Sequence, residues 1–391
     1  MEQQDEEKRE VFTRTATQSL PLELASIILS KLPTKSVARF RCVSKLWSSI
    51  TSDPSYFNTR PRLLVTFGEV DKFYFYSLPQ HNQNPNTNVA YSSQPIDHYP
   101  IRTYPKHSPF IIKTELVHGL IILMISYLDS PDLIAWNPTM RRFINIPNPR
   151  WGWKNVTFLL GYDPVECKHK LVCMPRDTTA DECQVLTLGS YPELWRRFDT
   201  NHKHCLLTGN NTLEGKITGL CGRCINGVLY YHAKLCSDKV VIMRFDIRSE
   251  KFDVIKLPWG KSWRMLMTCY EGKLACVGYS RSGKSISLWV LEDGTNHQWS
   301  NHLYQPLSHY GQDLQDKFKL VGITDDGEFV YAPKTLLKAL DVIYLNPKRK
   351  TLRRVEYIPT VDDGFRRRHG LGDGPLPGLH FFPNHIETIM S

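Results

Sequence analysis

Between positions 20 and 50 apolar residues recur every three or four places. They are Leu20, Leu24, Ile27, Ile28 and Leu32, then Val37, Phe40, Val43, Leu46, Trp47 and Ile50. That spacing lines one face of a helix. Pro21 suits a first helical turn, where the N–H it lacks would have no partner. Glu23 sits near the positive end of the helix dipole. Pro33 ends the first helix, and Asp53-Pro54 reads as a cap before a short third one. Two or three short helices in about 40 residues cannot bury their own apolar surface. Apolar surface without a home implies a partner.

From about residue 62 the period becomes that of strands. Runs such as Leu63-Leu64-Val65-Thr66-Phe67, Phe73-Tyr74-Phe75-Tyr76, Val240 to Phe245 and Ile286 to Leu291 are separated by Gly, Asn, Asp and Pro. A polar stretch over roughly 80–109 reads as a long loop. A two-part repeat runs through this region. Its first half is a small-residue turn and an apolar strand: His118-Gly119-Leu120, Asn226-Gly227-Val228, Glu271-Gly272-Lys273 and Asp326-Gly327-Glu328. Its second half is an apolar strand and a polar turn: Trp136-Asn137-Pro138, Phe245-Asp246, Trp289-Val290-Leu291-Glu292 and Tyr344-Leu345-Asn346-Pro347. Between the four glycines the steps are 108, 45 and 55 residues; between Trp136, Phe245, Trp289 and Tyr344 they are 109, 44 and 55. The long first step leaves room for a degraded copy over about 159–188.

A period of about 45 to 55 residues fits four-stranded blades of a kelch-like antiparallel β-propeller, about six in number. A single blade cannot cover both of its faces, whereas neighbours in a ring cover each other. Stacked β-sandwiches with accidental periodicity are the competing architecture. The expected fold class is therefore α plus mainly β. The four aromatic markers read as blade packing. Trp151, Trp153, Trp259 and Trp263 differ, because they follow strands beside Gly152 and Gly260, near Lys154, Lys261 and Arg264. Loops on a rigid scaffold carry recognition, and Trp and Arg are enriched in binding hot spots. These four are candidate substrate-binding residues, with loop anchors folded onto the core as the alternative.

The N-terminal string is similar to a known module. Leu20-Pro21-x-x-Leu24, Leu32-Pro33-x-Lys35-Ser36-Val37 and Arg39-Phe40-Arg41-Cys42-Val43-Ser44-Lys45-x-Trp47 resemble the F-box, in its plant version. Val37 stands where that family often has Leu, and keeps the apolar character. His118-Gly119-Leu120, Trp136-Asn137-Pro138-Thr139, Gly161-Tyr162-Asp163-Pro164 and Gly227-Val228-Leu229-Tyr230-Tyr231 resemble the F-box-associated domain of plant F-box families. The domains expected are a disordered acidic N-terminus over 1–17, an F-box over 18–60, an F-box-associated β-propeller-like domain over 61–360, and a basic, flexible tail over 361–391.

The resemblance implies that Leu20, Pro21, Leu24, Ile28, Leu32, Pro33, Val37, Cys42, Val43 and Trp47 bind a Skp-type adaptor, and through it a cullin and a RING protein. It implies that the β domain holds a protein substrate for an SCF-type ubiquitin ligase. The chain would then do no bond chemistry itself and would contribute proximity and orientation. Two other readings are an F-box scaffold acting outside the ligase and a propeller enzyme or small-molecule sensor.

Composition narrows the picture further. The chain has 391 residues, 41% hydrophobic and 23% charged, which suits a globular protein of two domains or a small module plus a repeat array. No apolar run approaches the ~18 residues of a membrane span. Met1 to Glu10 is polar and lacks the apolar stretch of a signal peptide, so the expected location is cytoplasm or nucleus. The ten cysteines are then expected to be reduced. Cys221-Gly222-Arg223-Cys224 lacks the second pair that a zinc site needs, and a strand pair is expected there.

The net charge of +10 is spread over Arg141-Arg142, Arg196-Arg197, Lys348-Arg349-Lys350, Arg353-Arg354 and Arg366-Arg367-Arg368-His369, which argues against nucleic acid. These groups read as solvated loops; the last also fits a weak import signal or a contact for an acidic partner. There is no phosphate-binding Gly-rich loop, no G-x-S-x-G and no His-Glu-x-x-His. Neither cofactor, metal nor catalytic residue is expected.

Overall fold

Apolar residues one helical turn apart anchor the first helix. Ala25 and Leu29 of α1 (Leu22–Lys31) are buried, as are Val37 of α2 (Thr34–Phe40) and Thr51 of α3 (Lys45–Ser52). The expected run over 37–50 is broken, because the N–H groups of Cys42 and Val43 turn back to the carbonyls of Arg39 and Phe40 at 3.1 and 3.0 Å. The computed structural model describes residues 21–31, 34–40, 42–52, 61–69, 72–80, 97–100, 110–112, 114–125, 132–149, 156–175, 179–191, 194–207, 222–258, 265–280, 283–337, 340–357, 361–376 and 379–386. The acidic segment over 1–17 and the helix expected after Asp53-Pro54 lie outside them. The chain divides into two units, residues 1–59 with 388–391 and residues 60–387.

The second unit is mainly antiparallel β. β1 (Arg62–Glu69), β2 (Lys72–Pro79) and β3 (Asp97–Pro100) form the first sheet, and β24 (His380–His385) lies along the other edge of β1. The second sheet is β4 (Phe110–Ile112), β5 (Ile121–Ile125), β6 (Asp132–Asn137) and β7 (Arg142–Ile146). The third has eight strands in two meanders. One is β8 (Val156–Asp163), β9 (Lys168–Pro175), β10 (Ala180–Thr187) and β11 (Arg196–Leu206); the other is β12 (Arg223–Ile225), β13 (Val228–Leu235), β14 (Val240–Asp246) and β15 (Lys251–Lys256). β11 joins them by pairing with β13. The fourth is β16 (Leu266–Tyr270), β17 (Lys273–Tyr279), β18 (Ile286–Asp293) and β19 (Gln298–Tyr304). α4 (Leu314–Lys317) leads into the fifth, β20 (Phe318–Ile323), β21 (Phe329–Pro333), β22 (Leu340–Asn346) and β23 (Thr351–Tyr357).

Two turn chemistries recur. His118-Gly119, Asn226-Gly227 and Glu271-Gly272 hold both residues at positive φ, as a two-residue hairpin turn requires. Asn137, Asp163, Asp246, Asp293 and Asn346 each accept, through Oδ1, the N–H of Met140, Val165, Ser249, Thr295 and Arg349 in turn, at 2.7–3.0 Å. Each of these turns closes on a left-handed residue: Arg141, Cys167, Glu250, His297 or Lys350. The Asn-Pro and Asp-Pro signatures therefore shape hairpins.

Strand alternation sends successive side chains to opposite sheet faces, and each face meets the next meander. Leu64 and Phe75 pack with Ile121 and Trp136. Ile122 and Leu133 pack with Phe158 and Leu171. Val172 and Val185 pack with Tyr231 and Phe245. Ile242 and Ile255 pack with Met267 and Leu274. Val277 and Leu288 pack with Phe329 and Ile343. Val342 and Tyr344 pack with Leu63 and Phe67, so the last sheet meets the first. Trp136 and Phe245 are buried toward the preceding meander, as packing residues. Tyr344 faces the following one; Leu345 takes the equivalent place, and Trp289 is half-buried. A one-residue slip changes the face, so Tyr344 is out of step with the others, whereas Trp289, opposite Cys276, stays on the face turned to the preceding meander.

The basic, flexible tail expected over 361–391 does not hold for Asp363–His369 or His380–His385. α5 (Asp363–His369) starts where the Asp362 side chain accepts the Phe365 N–H and ends at Gly370, φ 69°. Arg366 is buried and donates to the carbonyls of Leu337, Gly372 and Gly374. Phe365 packs edge-on against Tyr74 at 5.3 Å, and β24 joins β1.

A buried ion pair ties the two meanders of the large sheet. Lys170 Nζ donates to the Ile247 carbonyl at 2.8 Å and to Glu250 at 2.7 Å, and Arg196 donates to the same carboxylate at 2.7 Å. Burial pushes the Glu250 carboxyl up, but the bonds from Arg196 and Lys170 outweigh it and hold it below the ordinary range. A depressed carboxyl stabilises the fold at neutral pH, and that contribution fades as pH falls through the lowered value. Glu250→Ala is expected to cost about 3 kcal/mol at pH 7, because Lys170 stays buried without its counter-charge. The deficit should shrink in acid, which thermal melts at pH 7 and at about pH 3 would check.

Candidate functional site

Helix α1 carries two stripes. Ala25 and Leu29 face inward; Leu24, Ile27 and Ile28, at the i, i+3, i+4 spacing of one face, are 49%, 50% and 44% exposed. Leu22 and Pro21 are exposed at the helix start. In the turn after α2, Val43 is 73% exposed and Cys42 is exposed beside it. Trp47 is half-buried and meets Phe40 edge-on, with ring centroids 4.7 Å apart. Its carbonyl accepts the Thr51 hydroxyl at 2.7 Å, which holds α3 in shape. A short helix that leaves three large aliphatic side chains in water on one face has an apolar surface to offer.

Of the expected adaptor-binding residues, Pro21, Leu24, Ile28, Cys42 and Val43 are on the surface and Trp47 is partly so. Val37 is buried at 1% exposure, so it supports the helices from inside and offers no contact surface. Leu20, Leu32 and Pro33 lie outside the described residues, as do Trp151, Trp153, Trp259 and Trp263. Ile27 and Leu22 were missing from the expected set. The helical spacing from Leu24 already pointed to Ile27.

The basic groups of the second unit mostly bridge its parts. Lys348 pairs with Glu271 at 2.8 Å. Arg353 pairs with Glu328 at 2.7 Å and lies 3.8 Å from the Tyr344 ring centre. Arg354 pairs with Asp341. Cys224 sits in the expected strand pair, opposite Leu229. Next to it, Arg223 pairs with Glu115 and donates to the Met267 carbonyl at 2.9 Å. Burial pushes the Glu115 carboxyl up, and Arg223 opposes that rise. No group of three or more His, Cys, Asp and Glu among the described residues could hold a metal ion.

Residues 18–59 match the F-box domain family, and residues 62–386 match the F-box associated beta propeller domain family. The chain belongs to the F-box-associated β-propeller family. The Arabidopsis thaliana protein At1g47730 is 49% identical over 100% of both chains. F-box protein At1g48060 of the same plant is 44% identical over 95% of this chain and 93% of its own. F-box protein At5g18160 is 34% identical over 100% of both. Among solved structures, TolB from Acinetobacter baumannii aligns with a TM-score of 0.42 at 9% identity, over 86% of this chain and 73% of that one, a likeness too low to carry a fold argument. In this F-box family member the exposed stripe of α1 and the turn at Val43 fall inside the F-box match, and the packed meanders fall inside the other.

Proposed function

We propose that this F-box chain is the substrate-recognition subunit of an SCF-type cullin-RING E3 ubiquitin ligase. The observation that carries the reading is the stripe of Leu24, Ile27 and Ile28, exposed on a short helix within the F-box match. In this reading the stripe, with Pro21, Cys42, Val43 and one side of Trp47, is the contact for a Skp-type adaptor, and the adaptor brings the cullin and RING protein. The β unit holds a protein substrate, and the chain acts by placing it near the transferred ubiquitin. The complex works in the cytoplasm or nucleus.

We also propose that the meanders close as a six-bladed, kelch-like ring. Support comes from the apolar clusters that join each meander to the next and the last to the first, and from β24 completing the first sheet. Loops on such a rigid body carry recognition, and Trp151, Trp153, Trp259 and Trp263 are the substrate-binding residues of this reading.

The test is reconstitution of the full chain with a Skp-type adaptor, cullin and RING protein, compared with a Leu24→Ala, Ile28→Ala variant. Proteins co-purified with the wild type should become ubiquitylated, and the variant should fail to join the complex. Adaptor binding with no ubiquitylation or turnover of any bound protein would favour a scaffold outside the ligase.

A further inference from the structure

The F-box helices are one-sided in charge. Between Leu24 and Ser52 the sequence holds five basic residues, Lys31, Lys35, Arg39, Arg41 and Lys45, and no acidic one. Two of the five flank an apolar side chain that stands in water. Val43 is 73% exposed, in the turn that closes on the carbonyls of Arg39 and Phe40. Lys45 follows two residues later as the first residue of α3. Arg39 and Lys45 are both exposed, and neither has an ion-pair partner among the described residues.

Local structure explains only half of this arrangement. Arg39, in the last turn of α2, suits the negative end of a helix dipole. Lys45 stands at the positive end of α3, where a cation is disfavoured, and the first turn holds no acidic residue to offset it. A residue that breaks the rule of its own helix, exposed beside an apolar contact, marks a place where function overrides local stability.

We propose that this turn meets an acidic rim on the Skp-type adaptor, around an apolar centre that takes Val43. The inference rests on the adaptor-binding reading and names the chemistry of the partner's face. Interfaces have an apolar middle and a polar, solvated edge. Rim charges of opposite sign steer two proteins together, and they change the rate of association and its salt dependence more than the lifetime of the complex. In this division Leu24, Ile27 and Ile28 hold the adaptor, and Arg39 and Lys45 bring it in. A face of like sign, including the same turn of a second copy, is repelled.

The test is the kinetics of the full chain binding purified Skp-type adaptor at low and at high salt. Wild-type association should slow steeply as salt is raised. Lys45→Glu should slow association roughly tenfold at low salt and leave dissociation nearly unchanged. Its melting temperature should hold or rise, because an acidic residue suits the start of α3, so slower binding is then not a loss of folding. Arg39→Gln should act in the same direction by less. Lys251→Glu, on β15 of the other unit, makes the same change in net charge and should leave the rate unchanged. An association rate indifferent to salt and to Lys45→Glu would overturn the acidic rim and leave the receptor reading standing. Equal slowing by Lys251→Glu would also overturn it, by assigning the effect to net charge. If the wild type does not bind the adaptor at all, the receptor reading itself falls.

Discussion

Deleting residues 380–385 is expected to abolish cooperative folding of the β unit. β24 pairs Leu64 with Phe382, Val65 with Phe381 and Thr66 with His380. Phe382 belongs to the cluster of Phe75 and Trp136, whereas Phe381 belongs to that of Tyr344 and Phe67. One strand therefore seals the first sheet against both of its neighbours. Its end is also held, because the Asn384 N–H donates to Gln80 at 2.8 Å and Asn384 Nδ2 donates to the Ile323 carbonyl at 2.9 Å. Loss of a large buried aromatic costs about 3 to 5 kcal/mol. Two of them, with a row of ladder bonds, match the ~5 to 15 kcal/mol that holds a whole domain folded. Phe382→Ala alone should cost about 3 kcal/mol and leave a lowered but cooperative melt. A wild-type melting transition in the deletion variant would show that β24 is dispensable.

This last strand was hidden in the sequence for a physical reason. Charged residues dominate 366–369, and a run of arginines normally means solvent. Here the first of them is buried and bonded to three carbonyls. A strand such as His380–His385, which contains Pro383 and Asn384, lacks the β-branched signature and is made a strand by its partner β1. The hairpins, in contrast, were legible, because their geometry is local. A Gly at positive φ, or an Asn or Asp bonding its own backbone, acts within a few residues. The aromatic markers were legible as core but not in register. Tyr344 and Leu345 are both large and apolar, and only the packing shows that Leu345 takes the place equivalent to Trp136 and Phe245.

The candidate site was half legible. Helical spacing identifies an apolar face, yet it cannot divide an all-round apolar helix into the stripe that packs and the stripe that stays wet. In α1 both stripes are aliphatic: Ala25 and Leu29 on one, Leu24, Ile27 and Ile28 on the other. Only the packing decides between them, and it moves Val37 to the inside and brings Ile27 out. The same ambiguity does not touch Val43, whose place in a tight turn after α2 leaves it exposed.

Leu24→Ala combined with Ile28→Ala is expected to weaken adaptor binding about a thousandfold with little change in melting. Both side chains are about half exposed, so their removal opens no cavity in the folded chain. If each is buried under the adaptor as an anchor, each costs about 2 kcal/mol, and about 4 kcal/mol is close to three powers of ten in affinity. Val37→Ala should behave in the opposite way. It removes a buried side chain, so the helical unit should lose about 2 kcal/mol of stability, and adaptor binding should fall only as far as the folded fraction falls. Titration of each variant with purified adaptor, at a temperature where both are folded, separates the two effects. Normal affinity in the double variant would place the adaptor contact away from this stripe. A lowered melting temperature in that variant would mean that Leu24 and Ile28 pack within the chain, and the surface around Val43 would then remain to carry the contact.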